Sequence, residues 1–139
     1  MKIILTLSLF VAALLFTSMN ALQQKPVPPG KVIYERNCLS CHQADGSGVP
    51  GMNPPLSQVS YVTGNKTQLI RIVLDGLTTP LEINGEDYHN PMPAQRHLSD
   101  QQLADVLTYI RSSFGNKADA VSVGEVKKIR AESGEPRAK

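Results

Sequence analysis

At 139 residues the chain has room for one small domain. Its 14 Lys and Arg against 12 Asp and Glu give a formal charge of +2, a balance that excludes recognition of nucleic acid through a basic surface. Aromatic residues make up 5% of the chain and Trp is absent, so a domain of this size is short of the large apolar side chains that a core needs.

The first 21 residues read as a Sec-type export signal. Lys2 supplies a positive start, and Ile3 to Phe16 is an uncharged apolar run of 14 residues, short of the ~20 residues of a membrane span. Ala21 is the expected last residue of the leader. Met19 stands where a small residue is usual, which leaves an uncleaved membrane anchor as the alternative. No cysteine follows closely, so a lipid-anchored terminus is not expected. Residues 22–29 form a proline-broken, extended lead-in.

From Gly30 a short helix is expected to run into Cys38-Leu39-Ser40-Cys41-His42. Two thiols at that spacing with an imidazole directly after them form the attachment signal of a c-type haem. The thiols add across the two vinyl groups, and His42 is delivered to the iron as proximal ligand. Three other readings compete. A thioredoxin-like couple belongs near a βαβ pattern, for which the flanks offer no strands. A closed zinc site needs four ligands, and His89 and His97 are the only further histidines. A structural disulfide would leave His42 unexplained.

Residues 43–55, rich in Gly and Pro, read as a loop. Asn65 is expected to cap a helix with Gln68 three residues on, an apolar stripe of Leu69, Ile72, Val73 and Leu74, and a stop at Gly76. Asn84-Gly85 is the two-residue turn of a small hairpin over 81–88. Ser99 and Gln102 form a capping box that opens the best helix, with Leu103, Val106, Leu107, Ile110 and Phe114 on one face and Gly115 at its end. Beyond it, Ser122 with Glu125 caps a short helix carrying Val126 and Ile129. The last eight residues are expected to be disordered.

A haem iron held by one histidine has a sixth position, and its occupant separates electron transfer from small-molecule chemistry. Met92, between Pro91 and Pro93, is the strongest candidate. The two prolines keep it out of a regular helix and stiffen the loop that would present its sulfur. Met52 follows His42 too closely to return round the ring, and His89 and His97 would give a bis-histidine site instead. A buried porphyrin would also supply the apolar mass that the composition lacks.

Taken together, CLSCH, the GSG…NPPL loop, PMP and HLSDQQLADVLTYIRSSFGN resemble the class I monohaem cytochrome c family over about Gly30 to Asn116. The resemblance implies a mostly α fold, with three to five short helices wrapped around one haem c and a small β-hairpin before the methionine loop. It also implies that Gly30 and Tyr34 cross the carboxyl-terminal helix at Val106 and Tyr109, and that the carbonyl of Pro54 or Pro55 accepts from His42. The implied cofactor-binding residues are then Cys38, Cys41, His42, Met92, Pro54 and Pro55, with His42 and Met92 on the metal.

The chain organises as a leader over 1–21, a lead-in over 22–29, the cytochrome c domain over 30–116 and an extension over 117–139. The function implied is a periplasmic or otherwise extracytoplasmic single-electron carrier, a monomer that catalyses no reaction itself. Its partners would be transient, a dehydrogenase as donor and an oxidase or reductase as acceptor. The hairpin and the extension look like those of small bacterial cytochromes that accompany exported dehydrogenases or respiratory oxidases. Two alternatives stay open: a dedicated cytochrome subunit of such a complex, or an open sixth site that binds a small molecule.

Overall fold

The computed structural model describes residues 26–134. The expected leader, its cleavage point and the last five residues lie outside them. Within the described residues the order is α1 (Pro29–Asn37), α2 (Leu39–His42), α3 (Ser60–Thr63), α4 (Lys66–Asp75), β1 (Leu81–Ile83), β2 (Glu86–Tyr88), α5 (Asp100–Ser112) and α6 (Val123–Ser133). None of these helices is long and apolar enough to cross a membrane. The protein is mostly α, and α3 is a single turn that no sequence signal announced.

Pro29 starts α1 at the position where its missing N–H costs nothing. At the very next residue α1 crosses α5 at contact distance, because Gly30 has no side chain. A Cβ there would stand 2.1 Å from the Asp105 carbonyl oxygen and 2.7 Å from Tyr109 Cβ. Gly30 therefore meets α5 at the Asp105 carbonyl, which leads into Val106, and at Tyr109, the second of the two positions the resemblance implied. Val106 is turned into the interior, 1% exposed. Tyr34 stacks beside the crossing, its ring centroid 5.7 Å from that of Tyr109 and 5.2 Å from that of Phe114.

The Ser99/Gln102 capping box forms as read, and α5 buries Leu103, Ala104, Val106, Leu107 and Ile110. The helix stops at Ser112, short of the expected Phe114. Ser113 is extended and Phe114 takes a φ of +56°, which swings its ring under Tyr34 and Tyr109. Asn116 locks that departure. Its Nδ2 donates to Ile110 O at 2.8 Å and Leu56 O at 2.9 Å, and its Oδ1 accepts from Gln58 N at 2.7 Å. A buried amide satisfied on both sides ends the helix where periodicity alone would have continued it.

Asn65 caps α4 by accepting from Gln68 N at 3.1 Å. Its buried face is Leu69, Ile70, Val73 and Leu74, so Ile70 replaces Ile72 in the expected stripe. The hairpin pairs Leu81 with Tyr88 and Ile83 with Glu86. Asn84 and Gly85 both have positive φ, 56° and 83°, the backbone that a two-residue turn between twisted strands demands. Helix α6 opens on its Ser122/Glu125 box, buries Val126 and Ile129, and continues to Ser133. It thus runs two residues into the last eight, so the expected disorder does not reach Glu132 or Ser133.

Candidate functional site

Two adjoining hollows of about 670 and 750 Å³, open mouths included, share Cys38, His42, Pro54, Leu77, Leu81, Met92 and Gln95 in their walls. Sharing these walls, they form one cleft. Its deeper wall is almost wholly apolar, lined by Leu56, Val59, Val62, Leu69, Val73 and Leu107 from α3, α4, α5 and the loop before α3. Cys41, Asn53, Tyr88 and Asn90 line the outer part.

Helix α2 delivers His42 to the cleft 8% exposed. Its Nδ1 lies 2.9 Å from the carbonyl oxygen of Pro54. A carbonyl can only accept, so Nδ1 carries the proton and Nε2 keeps its lone pair. Burial lowers the imidazole's pKa from its ordinary value and so favours the neutral, ligating form, against a smaller opposing effect of the Pro54 bond. Pro55 does not reach the ring nitrogen and serves as part of the deeper wall.

Cys38 is half-buried and Cys41 exposed, and neither is in a disulfide. Burial first, and then the charge of Cys41, pushes the Cys38 thiol up to about 11. A thioredoxin-like couple needs the opposite shift, toward the thiolate. Among the described residues no three His, Cys, Asp or Glu side chains come together as a metal-ion site, so the zinc reading has no ligand set.

Met92 lines both hollows. Its main chain is pinned to the exit of α4: Leu77 N donates to Met92 O at 2.9 Å, and Met92 N donates to Leu77 O at 2.8 Å. Gly76 makes the approach possible, since a Cβ there would stand 2.4 Å from Met92 O. The rival candidates lie elsewhere. Met52 is 49% exposed, and His89 and His97 are exposed, with His97 Nε2 3.1 Å from Asn37 Oδ1. None of the three lines the cleft.

Sequence reasoning missed Leu77 and Gln95. Leu77 acts through its main chain, which no residue type reports; the adjacent Gly76 was read only as a helix stop. Gln95, 9% exposed, donates from Nε2 to Pro93 O at 3.1 Å and so braces the loop next to Met92. The hairpin also does more than cover the cleft. Leu81 and Tyr88 form part of its wall, while Glu86 Oε1 accepts from Gly51 N at 3.0 Å and ties the hairpin to the 43–55 loop.

These residues fit a haem with two thioether tethers. An apolar slot holds a buried imidazole with a free lone pair, a thioether in the same walls, and two cysteines one helical turn apart at its edge. A family model described as Cytochrome c matches residues 27–114. Over 105 residues the chain is 40% identical to the cytochrome c subunit of alcohol dehydrogenase (quinone) from Gluconacetobacter polyoxogenes, covering 73% of this chain and 22% of that protein. Over 117 residues it is 32% identical to cytochrome c-552 of Thermus thermophilus, covering 78% of this chain and 88% of that protein. The cytochrome c subunit of gluconate 2-dehydrogenase from Pantoea cypripedii is 38% identical over 105 residues, with 73% and 24% covered. The chain therefore spans about a fifth to a quarter of these two dehydrogenase subunits and most of the small cytochrome.

Proposed function

Because the chain belongs to the cytochrome c family and so carries covalent haem c for electron transfer rather than catalysis, we propose that it is a His/Met-ligated single-electron carrier working outside the cytoplasm. Cys38 and Cys41 would tether the ring, and His42 and Met92 would hold its iron. When bound, haem supplies a one-electron iron couple whose potential methionine sulfur raises relative to a second imidazole. The remaining work belongs to the chain. Pro54 fixes the His42 ring and its proton. Leu77 and Gly76 fix the backbone of Met92, and the apolar wall keeps water away.

The observation that carries this reading is that Met92 shares the cleft with His42, whereas Met52, His89 and His97 do not line it. Replacing Met92 by Ala should leave haem attached and open the sixth position. The ferrous variant should then bind carbon monoxide at least about a hundredfold faster than the native protein, whose methionine must first leave. Native rates in Met92→Ala would assign the sixth position to another residue.

The nearly full-length match to a small cytochrome favours a free carrier, with a transient interface below ~1,200 Å². The names of the larger relatives suggest a dehydrogenase as its electron donor. Residues 30–116 form the electron-transfer domain and 117–139 an extension of it, and the apolar leader directs export.

A further inference from the structure

We propose that Arg130, on the carboxyl-terminal helix α6, is a positioning residue for Met92: one guanidinium from the extension holds the length of chain that presents the sixth ligand. The proposal rests on the assignment of Met92 above.

From Met92 to Ser99, the cap of α5, the chain has no helix or ladder of its own beyond the Leu77 pairing, and Pro93 removes a backbone donor. Its first part is tied to α4: Gln95 N donates to Val73 O at 2.9 Å, and Arg96 pairs with Asp75. Its second part is tied to α6. Arg130 Nη1 donates to Arg96 O at 3.1 Å, Nη2 to Leu98 O at 2.6 Å, and Nε to Asp100 Oδ1 at 2.6 Å. Arg96 answers in the other direction, donating from Nη2 to Ser133 O at 3.1 Å.

A planar fork that meets two main-chain oxygens and a carboxylate at once is a geometry that only arginine supplies. The Arg130 and Asp100 side chains are 27% and 29% exposed, so these bonds are partly shielded from solvent. The other ion pairs of α6, Lys66 with Glu125 and Arg71 with Glu132, anchor the same helix to α4 without touching residues 92–98. The extension thus has two separable roles: general docking through Lys66 and Arg71, and bracing of the methionine loop through Arg130. A loop ordered in advance loses less freedom when its sulfur binds iron, so loosening it raises the fraction of protein with the sixth position open.

The test is a titration of the full-length ferric protein with imidazole, followed by loss of the weak far-red band that reports methionine sulfur on iron. Arg130→Gln should bind imidazole about tenfold more tightly than the native protein. Arg130→Lys, which keeps the charge near Asp100 but cannot span all three acceptors, should fall between them. Arg71→Gln, which weakens docking alone, should stay within about twofold of native.

Equal shifts in Arg130→Gln and Arg71→Gln, or no shift in the former, would overturn the proposal. If Arg130→Gln yields no folded haem protein, Arg130→Lys against Arg71→Gln decides by the same criterion. Absence of the far-red band from the native protein would instead remove the Met92 assignment, and the bracing role with it, before any variant is made.

Discussion

At the scale of single residues, the site depends on main-chain positions as much as on ligating side chains. Gly76 has φ 74° and ψ −176°, a region that side-chain-bearing residues essentially do not enter. It also lies against the Met92 carbonyl. Gly76→Ala should therefore destabilise the protein by about 2 kcal/mol, the sum of backbone strain and a backbone clash. Chemical denaturation of native and variant holoprotein measures it. Cys38, Cys41, His42 and Met92, which share one wall of the cleft, could be picked out in the sequence by residue type and spacing. Choosing between Pro54 and Pro55 was beyond it: both offer a carbonyl, and only the path of the loop decides which faces Nδ1. Gly76 and Leu77 were hidden for the same reason, since their role lies in backbone direction.

At the scale of elements, capping signals were the most dependable guide. Asn65, Ser99 and Ser122 all accept from the expected N–H groups. Glu125 closes the box of α6, and its carboxylate accepts from Ser122 N at 2.7 Å and from Lys66 Nζ at 3.0 Å. These contacts, the Ser122 backbone bond foremost, lower its pKa from 4.5 to about 2. A carboxylate depressed on folding stabilises the protein fully above its unfolded pKa and loses that contribution as pH falls through the folded one. Glu125→Gln should thus cost about 1 kcal/mol at neutral pH, once solvent screening of its 39% exposed side chain is allowed for. The gap between variant and native should close as pH falls from 4.5 toward 2. Denaturation at a series of pH values reads it, and a gap that persists at the acid end would assign the effect to something other than this charge. Helix ends set by long-range partners were less legible. Phe114 continues the periodic stripe of α5, yet Asn116 and the ring cluster with Tyr34 and Tyr109 pull it out of the helix.

At the scale of the molecule, the chain solves its shortage of large apolar residues in two ways. The cleft is shaped for a porphyrin, and the extension folds back so that Val126 and Ile129 become core. The mostly helical architecture and the haem cofactor were readable because the attachment motif, the ligand loop and the last helix of the domain all carry local signals. The docking of α6 was not, since a weak stripe and a capping box say that a helix forms but not what it covers. Its ties run to α4 and α5 through Lys66, Arg71 and Asp100, partners far away in sequence. With His42 and Met92 both on the iron the carrier would be six-coordinate, a state that the optical spectrum of the purified ferric protein reads out. Covalently attached haem with the weak far-red band of a methionine-ligated ferric iron is the expected result. Covalent haem without that band at neutral pH would contradict it.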